Sequence, residues 1–273
     1  MNVYKTRGII LRSRKQGEAD RIITVISPEI GIFDARIRGA LKPKSKLGPP
    51  CQHFATVDLT VASGKVIDTV TETSLVRPST ALEEDITALT YASLACEITL
   101  KMSAERQPDA RAYALIDGLI GVLGSGVDPI LVTSAFMLKR LYIDGIMPQM
   151  AMCSSCSAKD DLHWFSAETG GVLCSPCAST EPGAGRFEPG SRQLAIVLYK
   201  STWEQITCLE PERERLLDLE AALISFICFR GDVRLKSLEM LGLLRNNPYG
   251  GRDSHEAGKV QAFGRNKVGD PGR

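Results

Sequence analysis

Residues 153–177, CSSCSAKDDLHWFSAETGGVLCSPC, contain two Cys-x-x-Cys pairs, Cys153/Cys156 and Cys174/Cys177, which are separated by 17 residues. A Cys-x-x-Cys turn lets two thiolates converge on one cation, and two such turns complete the tetrahedral four-sulfur shell that Zn²⁺ prefers. Four thiolates leave no open coordination position for water or substrate. The spacing therefore predicts a structural zinc site and not a catalytic one.

Disulfide bonds and redox chemistry are the two alternatives for these cysteines. Disulfides need an oxidising compartment, and the opening residues MNVYK are not followed by the apolar segment of a signal peptide. Redox Cys-x-x-Cys pairs usually occur singly and in a βαβ context, which this stretch does not indicate. His163 is a further candidate ligand, but the four sulfur atoms already have the spacing of a complete shell. We expect Trp164 and Phe165 to pack on the metal module, with stacking on a nucleic-acid base as the alternative.

The distribution of charge is uneven although the formal net charge is only +1. Residues 1–50 carry eleven Lys and Arg against four acids, whereas residues 51–150 carry seven against twelve. Concentrated positive charge is costly unless a polyanion or counter-ions balance it. The N-terminal end is therefore the candidate nucleic-acid surface, and a solvated lysine-rich surface is the alternative. No stretch approaches the ~18 consecutive apolar residues of a membrane span.

The first 78 residues have the pattern of five short antiparallel strands, at 4–11, 21–27, 33–38, 54–61 and 66–76. Apolar and polar side chains alternate in the third and fourth of these, which predicts one buried and one exposed face. Five short strands in so few residues predict a small barrel, and the OB-fold is the natural candidate. The predicted inward side chains are Phe33, Ala35, Ile37, Val57, Leu59 and Val61, and the predicted outward ones are Asp34, Arg36, Arg38, Thr56, Asp58 and Thr60.

A basic loop joins the third and fourth predicted strands. Residues 39–50, GALKPKSKLGPP, contain too much Pro, Gly and Lys for regular structure, and we interpret them as a flexible loop. Such a loop beside outward arginines would bind DNA phosphates, because Lys and Arg neutralise the backbone without reading sequence. A solubilising hairpin tip is the alternative. The predicted DNA-binding residues are Arg12, Arg14, Lys15, Arg21, Arg36, Arg38, Lys42, Lys44 and Lys46.

Helical patterns fill most of the remaining chain, at 81–103, 109–123, 129–145, 191–199, 211–230 and 237–244. Thr80 and Glu83 have capping-box spacing, which predicts that Thr80 caps the first helix. Predicted core residues of the helices are Ile86, Leu89, Leu94, Cys96, Ile98 and Cys228. Residues 246–273 are glycine-rich without apolar periodicity, which predicts disorder.

Together these patterns predict an α+β multidomain protein with an inserted metal module. The predicted parts are an N-terminal five-stranded OB-fold β-barrel (1–78), an α-helical domain (79–148 and 184–245), an inserted four-cysteine zinc-binding module (149–183, called the cysteine module below) and a disordered tail (246–273). No Walker lysine motif, HExxH, GxSxG or paired-acid nuclease pattern occurs. We therefore expect a protein that acts by binding and not by catalysis. An enzyme that carries a structural zinc is kept as a further hypothesis.

The chain resembles the RecO family of bacterial recombinational-repair mediators over residues 1 to about 245. Each matching segment is short, but their order around the cysteine pairs is specific. The segments are TRGIILR (6–12), GEADRI (17–22), RIRGA (36–40), KPKS (42–45), QHF (52–54), FMLKRL (136–141) and LKSL (235–238), with Gly145 and Pro148 before the cysteines. Because not every family member keeps four cysteines, the zinc prediction rests on this sequence itself.

The resemblance implies a cytoplasmic, nucleoid-associated protein of the RecF pathway that binds and anneals single-stranded DNA, with double-stranded DNA left open as a second ligand. It also implies partnership with RecR and single-strand-binding protein, indirect help in loading RecA, no membrane partner and no enzymatic activity. The alternative is a zinc-containing interaction adaptor whose OB-fold binds a protein partner and not DNA.

Overall fold

A closed five-stranded barrel forms the N-terminal part of the computed structural model, which describes residues 2–246. Its strands are β1 (Val3–Gln16), β2 (Asp20–Ser27), β3 (Gly31–Ile37), β4 (Thr56–Ala62) and β5 (Asp68–Arg77). The strand order is β1-β2-β3-β5-β4, and β4 pairs with β1 to close the barrel. All pairs are antiparallel except β3–β5. The predicted OB-fold barrel is confirmed.

The barrel core follows the predicted alternation. The six predicted inward side chains of β3 and β4 are all at most 2% exposed. Thr56 was predicted to face outward but is buried, because a bulge between Thr56 and Val57 in the pairing with β5 shifts the alternation. Three strand ends were also predicted wrongly. The fourth strand begins at Thr56 and not at Phe54, which lies in a turn with a φ of 66°. β1 continues beyond Leu11 to Gln16, and Val66 is fully exposed in the turn before β5.

Four helices follow the barrel: α1 (Thr80–Glu83), α2 (Ile86–Met102), α3 (Ala110–Leu123) and α4 (Pro129–Ile143). The prediction of one helix capped by Thr80 is wrong, because the helix is interrupted after α1 and Asp85 caps a second helix, α2. The Asp85 carboxylate accepts hydrogen bonds from the backbone N–H groups of Thr87 (2.8 Å) and Ala88 (3.2 Å). Ile86 was predicted to be core but lies in the first turn of α2 and is 54% exposed.

The other predicted core residues, on α2 and α8, are buried to different degrees. Leu94, Ile98 and Cys96 are buried, whereas Leu89 and Cys228 are only partly buried. The predicted disordered tail lies outside the described residues, apart from Asn246, which ends the last helix.

The cysteine module and the C-terminal helices complete the described chain. The elements are β6 (Leu162–Ser166), β7 (Gly171–Cys174), α5 (Ser175–Ala178), β8 (Gly185–Arg186), α6 (Pro189–Lys200), α7 (Trp203–Ile206), α8 (Arg213–Arg230) and α9 (Ser237–Asn246). Residues of the module, including Leu162 and Phe165, belong to the same apolar core as the helices. None of the helices in the described range is both long and apolar enough to span a bilayer.

The loop between α2 and α3 completes one side of the barrel. Glu105 forms a bridge with Ile32 of β3, and the backbone N–H of Arg106 donates to the Ile32 carbonyl oxygen (2.8 Å). The Arg106 guanidinium also donates to the carboxylate of Asp68, the first residue of β5 (2.6 Å). The barrel and the helices are therefore joined by backbone pairing and by a buried carboxylate.

Candidate nucleic-acid interface and metal centre

The predicted DNA-binding residues converge on one end of the barrel, which we call the basic end. It consists of the last residues of β1, the β1–β2 turn, the first residues of β2, the end of β3 and the loop 38–50. Lys15 lies opposite Arg21 in the β1–β2 register, and Ile22 lies between Arg14 and Arg36 across three strands. The barrel topology therefore brings together residues that are up to 34 positions apart in sequence, from Arg12 to Lys46.

Hydrogen bonds hold the basic loop against the β1–β2 turn. The backbone N–H of Leu41 donates to the Ala19 carbonyl oxygen (2.9 Å), and that of Gly39 donates to the Asp20 carboxylate (2.9 Å). Ala40 is buried and Leu47 packs against the barrel core. The loop lacks helix and strand, as predicted, but it is a series of hydrogen-bonded turns attached to the barrel and not a free flexible segment.

The three loop lysines, Lys42, Lys44 and Lys46, are exposed, while Ala40 before them and Leu47 after them contact the barrel core. Arg12, Arg14, Lys15 and Arg38 are also exposed, and Arg21 and Arg36 are partly buried. The structure therefore presents the charges of this loop to solvent from a fixed base.

Few acidic groups neutralise the basic end. Arg14 contacts Asp34 at 3.3 Å, and Arg21 donates to the Cys51 carbonyl oxygen at 3.3 Å. Within residues 2–246, the other seven predicted residues make no ion pair. Nine basic side chains against Glu18, Asp20 and Asp34 leave an excess of six positive charges at this end. Such a surface can bind phosphates with release of counter-ions.

Arg36 contributes an unsatisfied hydrogen-bond donor. Its Nε atom is buried and has no hydrogen-bond partner in the described part of the chain. A buried N–H without an acceptor is unfavourable.

Aromatic rings of the barrel are not available for base stacking. Phe33 and Phe54 are buried in the described barrel, and Tyr4 is half-buried and donates to Asp68 (2.6 Å). The His53 ring stacks on Phe54 with centroids 3.7 Å apart, and its Nε2 lies 2.7 Å from the Leu11 carbonyl oxygen. The basic end therefore offers charge and not stacking surfaces.

The four cysteine sulfur atoms form a compact cluster that could hold a metal ion. All four Sγ atoms lie within 4.8 Å of one another, and Cys156 Sγ lies 3.6 Å from Cys174 Sγ. A tetrahedral ion with Zn–S bonds of about 2.3 Å requires sulfur atoms ~3.8 Å apart. The donor set and its spacing therefore fit a four-thiolate site.

Local turns place these cysteines. Ser157, with a φ of 62°, donates its backbone N–H to the Cys153 carbonyl oxygen (2.9 Å), which closes the first turn. The second pair begins at the end of β7 and continues into α5, where the Ser175 N–H donates to the Asp161 carboxylate (3.1 Å).

The acidity of the thiols differs across the cluster. Burial acts to raise the pKa of Cys153, but backbone hydrogen bonds, led by that from Cys156, outweigh it and lower the pKa to about 6. The hydrogen bond with Cys174 Sγ, followed by that with Cys156, raises the pKa of Cys177 to about 12. Several thiolates this close repel one another, and a bound cation would offset that repulsion.

The other polar and aromatic residues of the module lie outside the cluster. His163 is about half exposed, and its Nε2 lies 3.7 Å from the Asp161 carboxylate. Phe165 is buried against Phe187 and Phe226, with ring centroids 5.5 Å and 6.3 Å away. Phe165 was expected to pack on the module, and the two aromatic rings that it contacts, Phe187 and Phe226, lie outside residues 149–183.

The attachment of the basic loop was missed by sequence analysis. Ala19 and Asp20 lie between the first two predicted strands and were given no role, although both accept hydrogen bonds from the loop. The only signal was the presence of an acidic residue in a turn, which is too common to be specific.

Two models of one protein family match nearly the whole described chain. The family model "Recombination protein O N terminal" matches residues 1–79, and "Recombination protein O C terminal" matches residues 83–239. A DNA repair protein RecO of Symbiobacterium thermophilum is 30% identical over 251 residues, which cover 90% of this chain and 99% of the relative. Proteins of the same name from Dehalococcoides mccartyi strain CBDB1 (29%, covering 89% and 96%) and Thermobifida fusca (28%, covering 88% and 99%) are also similar.

Proposed function

Because the chain belongs to the RecO family of DNA repair proteins, we propose that it binds and anneals single-stranded DNA and assists the loading of RecA in recombinational repair. Residues 1–78 are the DNA-binding domain in this proposal, and residues 79–148 with 184–245 form the helical domain. RecR and single-strand-binding protein are the proposed partners.

The observation that carries the proposal is the excess positive charge at the basic end. Seven of its nine basic side chains have no ion-pair or carbonyl partner in the described chain, so they can neutralise phosphates without breaking protein contacts. Two complementary strands repel each other through their phosphates, and a surface that neutralises both lowers this barrier to pairing. Contacts to phosphate do not depend on sequence, and they leave double-stranded DNA as a second ligand.

For the metal centre we propose a structural Zn²⁺ held by Cys153, Cys156, Cys174 and Cys177. The supporting observation is the fit of four converging sulfur atoms to a tetrahedral shell. The metal would link the turn after Met150 to the start of α5 and so hold the β6–β7 hairpin against α8.

The dependence of oligonucleotide affinity on salt tests the role of the basic end. On single strands the logarithm of the binding constant falls by ~0.7 per neutralised phosphate for each tenfold rise in salt. If each loop lysine neutralises one phosphate, the variant K42A/K44A/K46A should bind more weakly. Its plot of log binding constant against log salt should also be less steep by about 2.

The matched control is K65A/K159A/K200A, which removes three exposed lysines outside the basic end. Fluorescence anisotropy with a labelled oligonucleotide at several salt concentrations measures both quantities. Equal losses of slope in the two variants would contradict the assignment of the loop. If wild type bound no oligonucleotide but captured a protein partner through the barrel, the adaptor hypothesis would replace the proposal.

A further inference from the structure

A second basic surface lies where α8 turns into α9, at residues 229–236, FRGDVRLK, which we call the elbow. The Phe229 ring is 51% exposed, and Arg230, Arg234 and Lys236 beside it are exposed. Asp232 is the single acid within the segment. An exposed aromatic ring among three cations differs from the basic end, which has cations without rings.

Contacts on both sides fix the backbone of the elbow. Leu235 is buried, and the Glu97 carboxylate of α2 accepts hydrogen bonds from the backbone N–H groups of Lys236 and Ser237 (both 2.9 Å). These contacts use the main chain of Lys236 and leave its side chain in solvent. The elbow thus presents its charges from a supported backbone.

The cysteine module positions Arg230. Its guanidinium carbon lies 5.6 Å from the Phe226 ring centroid and 6.0 Å from that of Phe229. The other side of the guanidinium faces the β6–β7 turn, where a Cβ on Gly170 (φ +92°) would lie 2.3 Å from Arg230 Nη2. Arg230 therefore lies between the β6–β7 turn of the cysteine module and the exposed Phe229 ring.

Single-stranded nucleic acid matches this combination of groups. Its unstacked bases have π-faces that stack on aromatic side chains, and its phosphates bind Arg and Lys. An apolar protein partner would cover Phe229 but would leave three cations to be desolvated without partners. The exposed Arg234–Glu239 contact (3.3 Å) is the one ion pair of the elbow in the described chain, and a phosphate can replace it at little cost.

We propose that the elbow is a second single-stranded DNA contact, in which Phe229 stacks on a base and Arg230, Arg234 and Lys236 bind flanking phosphates. This inference rests on the proposed function and adds a base contact that the barrel lacks. The barrel binds the phosphate backbone of the DNA. The elbow distinguishes a single strand from a duplex because only unpaired bases can stack on Phe229.

The test compares Phe229→Ala with Tyr142→Ala, which removes a 56% exposed ring outside the elbow. Loss of one base stack should weaken affinity for a single-stranded oligonucleotide between about 5-fold and about 150-fold. The loss should be much smaller on duplex DNA and on an abasic strand of equal length. The variant R230A/R234A should lower the salt slope by about 1.4.

Tryptophan fluorescence at position 229 tests the stacking of the ring directly. In Phe229→Trp, stacking on a base should quench the added tryptophan fluorescence on titration with single strands and leave it unchanged with an abasic strand. Unaltered affinity in Phe229→Ala, together with no quenching in Phe229→Trp, would overturn the inference and leave an acidic protein segment as the ligand of the elbow.

The elbow and the basic end can fail separately. If wild type binds oligonucleotide and only K42A/K44A/K46A weakens it, the elbow inference fails and the proposed function stands. If only the elbow variants weaken binding, the assignment of the basic end fails. If wild type binds no oligonucleotide, both fail.

Discussion

The Asp68 carboxylate is one of the contacts that join the barrel to the helical part, and replacing it with Asn should weaken this connection. Its side chain is 3% exposed and accepts hydrogen bonds from Tyr4 Oη (2.6 Å), Arg106 Nη2 (2.6 Å) and the Gly64 backbone N–H (3.0 Å). Asp68→Asn keeps the shape of the side chain but removes its charge and one acceptor oxygen.

The expected loss of stability follows from those three contacts. A hydrogen bond to a charged group contributes ~1.5–3 kcal/mol, and a donor left buried without a partner adds a further penalty. Arg106 is 47% exposed and can be rehydrated, so its contact should be discounted. We expect a decrease of about 2–3 kcal/mol in the free energy of unfolding at pH 7.

The pH dependence of this difference has a definite sign. Burial acts to raise the pKa of Asp68, but hydrogen bonds from Arg106, Tyr4 and Gly64 outweigh it, and the net pKa is lowered. A carboxylate with a lowered folded pKa contributes stability above its unfolded pKa of about 3.9 and loses it as the pH falls through the folded pKa. The difference between wild type and variant should therefore be constant near neutrality and shrink below about pH 4.

Urea unfolding of wild type and Asp68→Asn between pH 3 and pH 7 measures this difference. The matched control is Asp58→Asn, which removes the exposed Arg7–Asp58 pair in the same barrel and should have a much smaller effect. Equal destabilisation by the two variants, or a difference that grows on acidification, would refute the role given to Asp68.

Two further predictions concern the metal centre and a close backbone contact. Cys174→Ser should lose bound zinc, measured by elemental analysis, and should melt at lower temperature, whereas the exposed Cys208→Ser should do neither. Gly31→Ala should destabilise strongly because its Cβ would lie 1.9 Å from the Gln107 carbonyl oxygen at a φ of +79°. Gly17→Ala, with a φ of +61° and open space around it, should cost only the backbone strain of ~1–2 kcal/mol, so equal losses of melting temperature would contradict this account.

Local sequence patterns were sufficient to predict those parts of the fold that are determined by residues close together in sequence. The alternation from Phe33 to Ile37 predicts a buried face because a strand has a fixed side-chain period. The cysteine spacing likewise predicts convergence of the four sulfur atoms, which lie within 4.8 Å of one another. Both predictions use contacts within a short stretch of chain.

Contacts between distant segments could not be predicted in this way. The error at the start of α2 is different in kind, because Asp85 caps the helix through the N–H groups of Thr87 and Ala88, and this competing local cap was not recognised. The packing of Phe165 on Phe226, 61 positions later in the sequence, depends on how the module sits on α8. Sequence periodicity identifies an apolar face but does not identify the surface that covers it.

Strand annealing on DNA coated with single-strand-binding protein tests the central claim most directly. Wild type should anneal complementary coated strands faster than they anneal spontaneously. The variant K42A/K44A/K46A should lose most of this acceleration, whereas K65A/K159A/K200A should keep it. If wild type gave no acceleration on coated or on naked strands, or if both variants annealed as fast as wild type, the claim that the basic end binds and anneals DNA would be contradicted.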